Sequence, residues 1–392
     1  MKVLIALVSS SMQLSGVQRH AINLARCLLT CSSITRVYLV VAHWQLKFVS
    51  ELVPPDERLH IHSVNISSDV LSRNWWFYSQ LPQLAESLAV DVVHVAYPMP
   101  IKKAAFACPV VVTLHDLYPY DVPENFGFPR VWFNRVILRQ CLQSVDAIAC
   151  VSRSTKSRLE ELMPVLATEK SVVIYNAVEV SSSAEGISPE WGTQPFLLCV
   201  AQHRRNKNIL LVLSVFEKLL QSGRIPTDSR LLIIGIPGPE TPAIIERIRA
   251  AKLNNAVALL KGISDANLQW CYENAKLLFA PSIIEGFGLP VAEALLAGCR
   301  VICSDIPAFR ELGGQHSFYV VLGPDAEREF AEVIARVVHL PPAEPILMPH
   351  LSTSAIGEQY VRLYGSLLDK PRPRARFIST SFFKAPESEA LL

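Results

Sequence analysis

Residues 276–298 read KLLFAPSIIEGFGLPVAEALLAG. The run Lys276–Ser282 is short and apolar, as a buried strand is. Pro290 suits the first turn of a helix and Gly298 its end. The stretch is therefore a strand, a tight turn over residues 285–288 and a helix. The turn leaves backbone N–H groups free at the helix N-terminus, and such a terminus attracts a phosphate or a polar sugar oxygen. Gly286, Phe287, Gly288 and Leu289 form the cradle. Glu293 falls in the first turn of the helix, where a carboxylate can accept two hydroxyl hydrogens, as from a ribose. Glu285, at the end of the strand, can hold another polyol hydroxyl. Two acidic anchors around a phosphate-cradling turn suit a nucleotide sugar. An isolated pair of glutamates at this spacing would be read as helix-start carboxylates, so the surrounding chain has to decide.

The same strand-then-helix unit recurs outward in both directions. KVLIALV, VYLVVAH, DVVHVA, VVVTLH, AIACVS and SVVIY are apolar on both faces and rich in β-branched residues, as covered parallel strands are. Helical patterns such as VQRHAINLARCLL and LPQLAESLA fall between them. Residues 181–195, SSSAEGISPEWGTQP, break the alternation and read as a linker. It then restarts with FLLCVA, RLLIIG, AVALLKG, KLLFAPS and RVICSD. The expected fold class is α/β, with two Rossmann-like, doubly wound parallel-sheet domains facing a cleft. The first domain covers residues 1–180 and the second 196–352. A helix over 353–370, around AIGEQYVRLYGSLLDK, is expected to pack back on the first domain. The Pro- and Arg-rich tail 371–392 is expected to be mobile.

Composition narrows the function. A chain of 392 residues is too long for one ordinary core. Half of it is apolar, and the formal net charge of +2 makes no case for nucleic acid. The nine cysteines show no CxxC pair and read as buried thiols of a reducing cytosol. The opening MKVLIALVSS reads as a first strand, because its apolar run is short and lacks a cleavage site. No apolar run approaches the ~18–20 residues that a spanning helix needs.

Three further stretches carry chemistry. In CVAQHRRNKNILLVLSVF, residues 199–216, a strand ends and basic residues precede a helix. Lysine and arginine there suit paired phosphate oxygens. VVTLHDLYP, residues 111–119, puts His115 at the end of a buried strand, with Asp116 able to cap the following turn. In the loop before VQRHAINLA, Gly16 lets backbone approach a phosphate closely. The loop has no G-x-G-x-x-G, which argues against a nicotinamide or flavin site. Whether Arg19 and His20 face the cleft or solvent is open at this stage. FPRVWFNRVILRQCL, residues 128–142, sets Arg130, Arg135 and Arg139 among Val, Trp and Phe. It reads either as a helix packed on the sheet or as one resting on an anionic membrane.

The order E-G-F-G-L-P-x-x-E-A resembles the signature of the retaining glycosyltransferases of family 4, which have the GT-B fold. VVTLHDLYPYD, VSRSTKSRL, VIYNAVE, RRNKNILLVLSVFEKL, LLIIGIPG, LKGISDANLQWCYENAKLLFAPS and SDIPAFRELGG fall in the family's order over nearly the whole chain. The resemblance implies that Glu293 binds the donor ribose, Glu285 faces the transferred sugar and His115 lies over it. It implies that Lys207 neutralises the donor diphosphate together with Arg204 or Arg205, of which Arg205 is favoured. The chain departs from the pattern at Ser15, Ala177, Ala201 and Gln202, where the family usually has glycine, glycine, glycine and arginine. Asn176 is expected near the hinge in a structural role.

The implied activity moves a hexosyl group, with retention, from a nucleoside-diphosphate sugar to a glycan or lipid-linked acceptor in surface polysaccharide synthesis. No cofactor beyond the donor is implied. The absence of an Asp-x-Asp motif at the expected place points to metal-independent catalysis, with basic side chains and a helix dipole stabilising the leaving group. The implied location is cytoplasmic, with peripheral contact to the inner face of the cell membrane and no nucleic-acid partner. The alternatives are another GT-B sugar-nucleotide enzyme, such as an epimerase, and a non-catalytic nucleotide-sugar binder.

Overall fold

A computed structural model of the chain describes residues 1–10, 16–53, 55–179 and 194–369. Ser15, nearly all of the linker stretch and the tail 371–392 lie outside the described residues.

Thirteen strands form two sheets among the described residues. The first holds β1 (Lys2–Ala6), β2 (Arg36–Ala42), β3 (Leu59–Val64), β4 (Val92–Val95), β5 (Val110–Leu114), β6 (Ala147–Cys150) and β7 (Ser171–Val173). The second holds β8 (Phe196–Val200), β9 (Arg230–Ile234), β10 (Val257–Leu260), β11 (Leu277–Ala280), β12 (Val301–Ser304) and β13 (Ser317–Val320). The spatial orders are β3-β2-β1-β4-β5-β6-β7 and β10-β9-β8-β11-β12-β13, and the pairs at both points where the order reverses are parallel. The expected fold class is what the structure has. Strand order reverses between β1 and β4 and between β8 and β11. Connections on the two sides of such a point diverge and leave a crevice at the carboxyl ends of the strands.

The sequence explains which strands were easy to read. β4, β5 and β6 are buried throughout, so they show unbroken apolar runs. The edge strands β3 and β13, LHIHSV and SFYV, are half-exposed and lack such a run; the sequence reading passed over both. Alternation builds a core on each face. Leu4, Ala6 and Val8 enter one core of the first sheet, while Val3, Ile5 and Leu7 enter the other.

Two features fix how the halves meet. The helix Thr353–Leu368 follows the second sheet in sequence but buries Ile356, Tyr360, Tyr364 and Leu367 in the core of the first. These positions line one face at helical spacing. Gly357 lies so close to helix Gly16–Leu29 that a Cβ there would sit 2.2 Å from the Cys27 carbonyl oxygen. Elsewhere, Glu311 of helix Pro307–Gly313 accepts from the Arg153 and Ser154 amides at 2.8 and 3.2 Å. Those amides begin helix Arg153–Leu162 on the first domain. A side chain of one domain thus satisfies two free donors of the other.

Candidate functional site

The loops after β8 and β11, at the second sheet's reversal point, face the start of helix Gly16–Leu29 and the loop after β5. Between them lies a cleft of about 440 Å3. Gly16, His115, Arg204, Lys207, Glu285, Gly286, Phe287, Gly288, Leu289 and Glu293 all line it. Arg205 does not. It is exposed, because the short 3₁₀ turn Arg205–Lys207 points it away, whereas the extended Arg204 that precedes the turn is half-buried at the cleft. Of the two arginines, the one at the cleft is thus Arg204 and not the Arg205 favoured from sequence.

Lys207 closes that turn, and the left-handed Asn208 (φ 55°) starts helix Ile209–Gln221 behind it. Its Nζ lies 2.5 Å from Glu285 Oε1, with the Lys207 side chain 20% and the Glu285 side chain 10% exposed. The other carboxylate oxygen of Glu285 accepts from the Tyr118 hydroxyl at 3.4 Å, and Asn206 donates to that hydroxyl at 3.3 Å. Burial, and then the nearby Glu285, raise the Tyr118 phenol well above its ordinary value, so it stays a donor. Glu285 is thus held from both domains.

Gly286 is where the domains touch. A Cβ there would fall 1.7 Å from the His115 carbonyl oxygen, and its own carbonyl accepts from Ser152 and Thr155 at 2.5 and 3.0 Å. Gly288 has φ 102° at the N-terminus of helix Leu289–Leu296, a conformation suited to glycine. Phe287 is buried with its ring beside Tyr175, so it offers the cleft its backbone. Glu293 lies one turn further into the helix than the sequence reading put it: the first turn holds no acidic residue. It accepts from the Tyr272 hydroxyl at 2.8 Å, and burial raises its pKa.

On the facing domain, His115 Nε2 is 2.9 Å from the Ala96 carbonyl and donates to it, which leaves Nδ1 as an acceptor. Burial lowers its pKa to about 4, so the ring is neutral at pH 7. Asp116 accepts from the Tyr118 amide at 3.0 Å, and burial raises its pKa to about 6. Arg19 and His20, left open by the sequence, part company. His20 is buried, while Arg19 reaches across the cleft to Asp265 of the second domain at 2.8 Å. Asp265 and Arg19 also border a smaller pocket that is lined by Tyr272 and shares Glu293 with the cleft. Tyr118, Asn206, Tyr272 and Asp265 escaped the sequence reading; each acts across a fold contact, and no local spacing signals that.

Known proteins bear on this geometry. Residues 14–182 match the family model described as Glycosyltransferase Family 4, and residues 184–347 match Glycosyl transferases group 1. The chain belongs to the family 4 glycosyltransferases. Among relatives, the O-antigen chain mannosyltransferase RfbU of Salmonella typhimurium is 29% identical over 59% of this chain and 62% of its own. The serotype-specific mannosyltransferase WbdA of Escherichia coli is 28% identical over 55% of this chain and 28% of its own. The matches thus span less than two thirds of these relatives' lengths. Anabaena Alr3699/HepE, solved with UDP and glucose, superposes with a TM-score of 0.69 at 16% identity, over 94% of this chain and all of that one. WaaG, a glycosyltransferase involved in lipopolysaccharide biosynthesis, gives 0.63 at 16% identity, over 93% and 97%. These likenesses establish the GT-B fold.

Proposed function

We propose that the chain is a retaining hexosyltransferase that uses a nucleoside-diphosphate sugar and works without a metal ion. The first sugar to test is mannose, which the names of the curated relatives favour, one of them acting on GDP-mannose. The observation that carries the reading is the gathering of Lys207, Arg204, Glu285, Glu293 and His115 in one cleft between the two domains. In this reading the first domain binds the acceptor and the second the donor.

Departure of the nucleoside diphosphate builds negative charge on the β-phosphate and positive character on the sugar ring. Lys207, Arg204 and the N-terminus of helix Leu289–Leu296 oppose the first. Lys207 exchanges part of its contact with Glu285 for the phosphate. Glu285, still held by Tyr118, then faces the sugar with a freed carboxylate oxygen. His115 accepts a sugar hydroxyl on Nδ1. Glu293 takes the ribose hydroxyls beside Tyr272. The acceptor attacks from the face the leaving group departs, and a phosphate oxygen takes its proton. Closure of the two domains over the donor keeps water from it.

The acceptor is a glycan or a lipid-linked glycan. In helix Arg130–Ser144 only Leu138, Cys141 and Leu142 are buried. Its first half exposes Trp132, Phe133 and Val136 beside Arg130, and the helix carries no acidic residue. That pattern supports rest on an anionic membrane surface, at the inner face of the cell membrane, rather than full packing on the sheet. Among the described residues no helix is long and apolar enough to cross a membrane.

A thermal-shift panel tests the reading: UDP, GDP, ADP and their hexose forms, with product anomers then read by NMR. A rise with one base and transfer with retention support it. A folded protein that answers to none of them, or transfer with inversion, overturns it.

A further inference from the structure

Five buried side chains outside the mechanism form a continuous chain under the cleft. The Tyr364 hydroxyl is 2.8 Å from His94 Nδ1. His94 Nε2 is 2.7 Å from Thr113 Oγ1, which is 3.1 Å from His20 Nε2. His20 Nδ1 is 2.7 Å from Asn176 Oδ1. All five are buried, so every donor and acceptor among them must be matched inside the protein.

The end groups fix the direction. Asn176 Oδ1 only accepts, so His20 carries its proton on Nδ1 and accepts on Nε2. Thr113 must then donate to His20 and accept from His94, which carries its proton on Nε2. That leaves His94 Nδ1 as an acceptor for the Tyr364 hydroxyl. His94, Thr113 and His20 each give one hydrogen and take one, Tyr364 gives and Asn176 takes, and both rings are neutral. Burial, the largest influence on each, lowers both their pKa values, that of His94 to about 3. The far end of the chain is functional ground. The His20 ring stands edge-on to His115, centroids 4.8 Å apart at 85°. Asn176 lines the cleft.

We propose that Tyr364, on the helix that crosses back from the second sheet, is a positioning residue for His115, acting through this one-way chain of hydrogen bonds. The inference rests on the reading of His115 as the residue over the donor sugar. Asn176 fixes the His20 tautomer and, through Thr113, that of His94; Tyr364 donates to the last acceptor, His94 Nδ1, and so holds in place the line of groups that ends in the ring against which His115 packs. The C-terminal helix therefore belongs to the active site in a mechanical sense, although none of its side chains enters the cleft.

Nitrogen-15 NMR of the histidine rings in the full chain tests it. The native protein should show His20 protonated on Nδ1 and His94 on Nε2; the opposite pair of tautomers overturns the chain. Tyr364→Phe removes the first donor. It should move the His115 ring resonances and lower donor turnover about three- to tenfold, the effect of one hydrogen bond, with nucleoside-diphosphate affinity unchanged. Thr113→Val breaks the chain at its centre with little change of shape and should act in the same direction, which covers the case of a Tyr364→Phe protein that does not fold. His115 resonances that stay native in both variants overturn the proposal. Should the native enzyme turn over no nucleotide sugar, the functional reading fails, and the tautomers and the His115 resonances still decide the chain.

Discussion

Lys207 and Glu285 come from loops after adjacent strands, and their charged ends are 2.5 Å apart in the cleft. In the proposed mechanism Lys207 gives up part of this contact for the donor phosphate. Lys207→Ala should lower turnover at least tenfold, since a charge-assisted contact to the leaving group is lost. Initial rates at saturating donor check this, and near-native rates would remove Lys207 from the phosphate. Arg205→Ala, by contrast, should leave turnover within about twofold, while Arg204→Ala lowers it several-fold.

Glu293→Ala should weaken binding of the free nucleoside diphosphate, and Tyr272→Phe should weaken it less, because the carboxylate remains and loses only the hydroxyl that aims it. Titration calorimetry distinguishes the two. Equal affinity in all three proteins would take Glu293 off the ribose.

At Gly286 the added methyl of Gly286→Ala would overlap the His115 carbonyl. The backbone must shift, so the contact between domains opens. The variant should unfold at lower temperature, and its activity should fall by more than a factor of ten, although no charged group has been touched. A native melting curve would show that the two loops are free to separate.

Acid should destabilise the protein before its carboxylates would ordinarily matter. His20, His94 and His115 all have pKa values lowered by burial, those of His94 and His115 to about 3 and 4. The unfolded chain takes up protons at these rings from about pH 6.5 downward, and the folded chain does not, so stability falls with pH across that window. Asp116 opposes the trend: its raised pKa of about 6 makes the folded state bind a proton that the unfolded state binds only near pH 4. Melting temperatures between pH 7.5 and 4.5 should therefore decline, and Asp116→Asn should make the decline steeper. A flat profile would contradict the burial of these rings.

Trp132→Ser combined with Phe133→Ser should cut binding to vesicles containing anionic lipid and leave donor hydrolysis unchanged. Sedimentation with phosphatidylglycerol vesicles reads it. Equal pelleting of both proteins would send the exposed aromatic half of that helix to another role.

Much of this architecture is legible in the sequence. Buried central strands such as VVVTL announce themselves because both faces are apolar, and the E-G-F-G-L-P turn carries its own punctuation. What the sequence concealed depends on distance along the chain. Tyr118 meets Glu285 across 167 positions, and His94 meets Tyr364 across 270. Arg204 and Arg205 are chemically identical, and only the direction of a three-residue turn separates them. Glu293 shifted by one turn because the helix starts after Gly288, with Leu289 and Pro290 occupying its first positions.

The Arg19–Asp265 pair ties the rims of the two domains beside Glu293, and both side chains are about a third exposed. Such a pair is screened by salt. Donor capture would then behave as a gated association: the entry rate rises with ionic strength as the clasp loosens, while diffusion of the anionic donor toward Arg204 and Lys207 slows. The two trends cross, so the second-order rate constant for binding should pass through a maximum at intermediate salt.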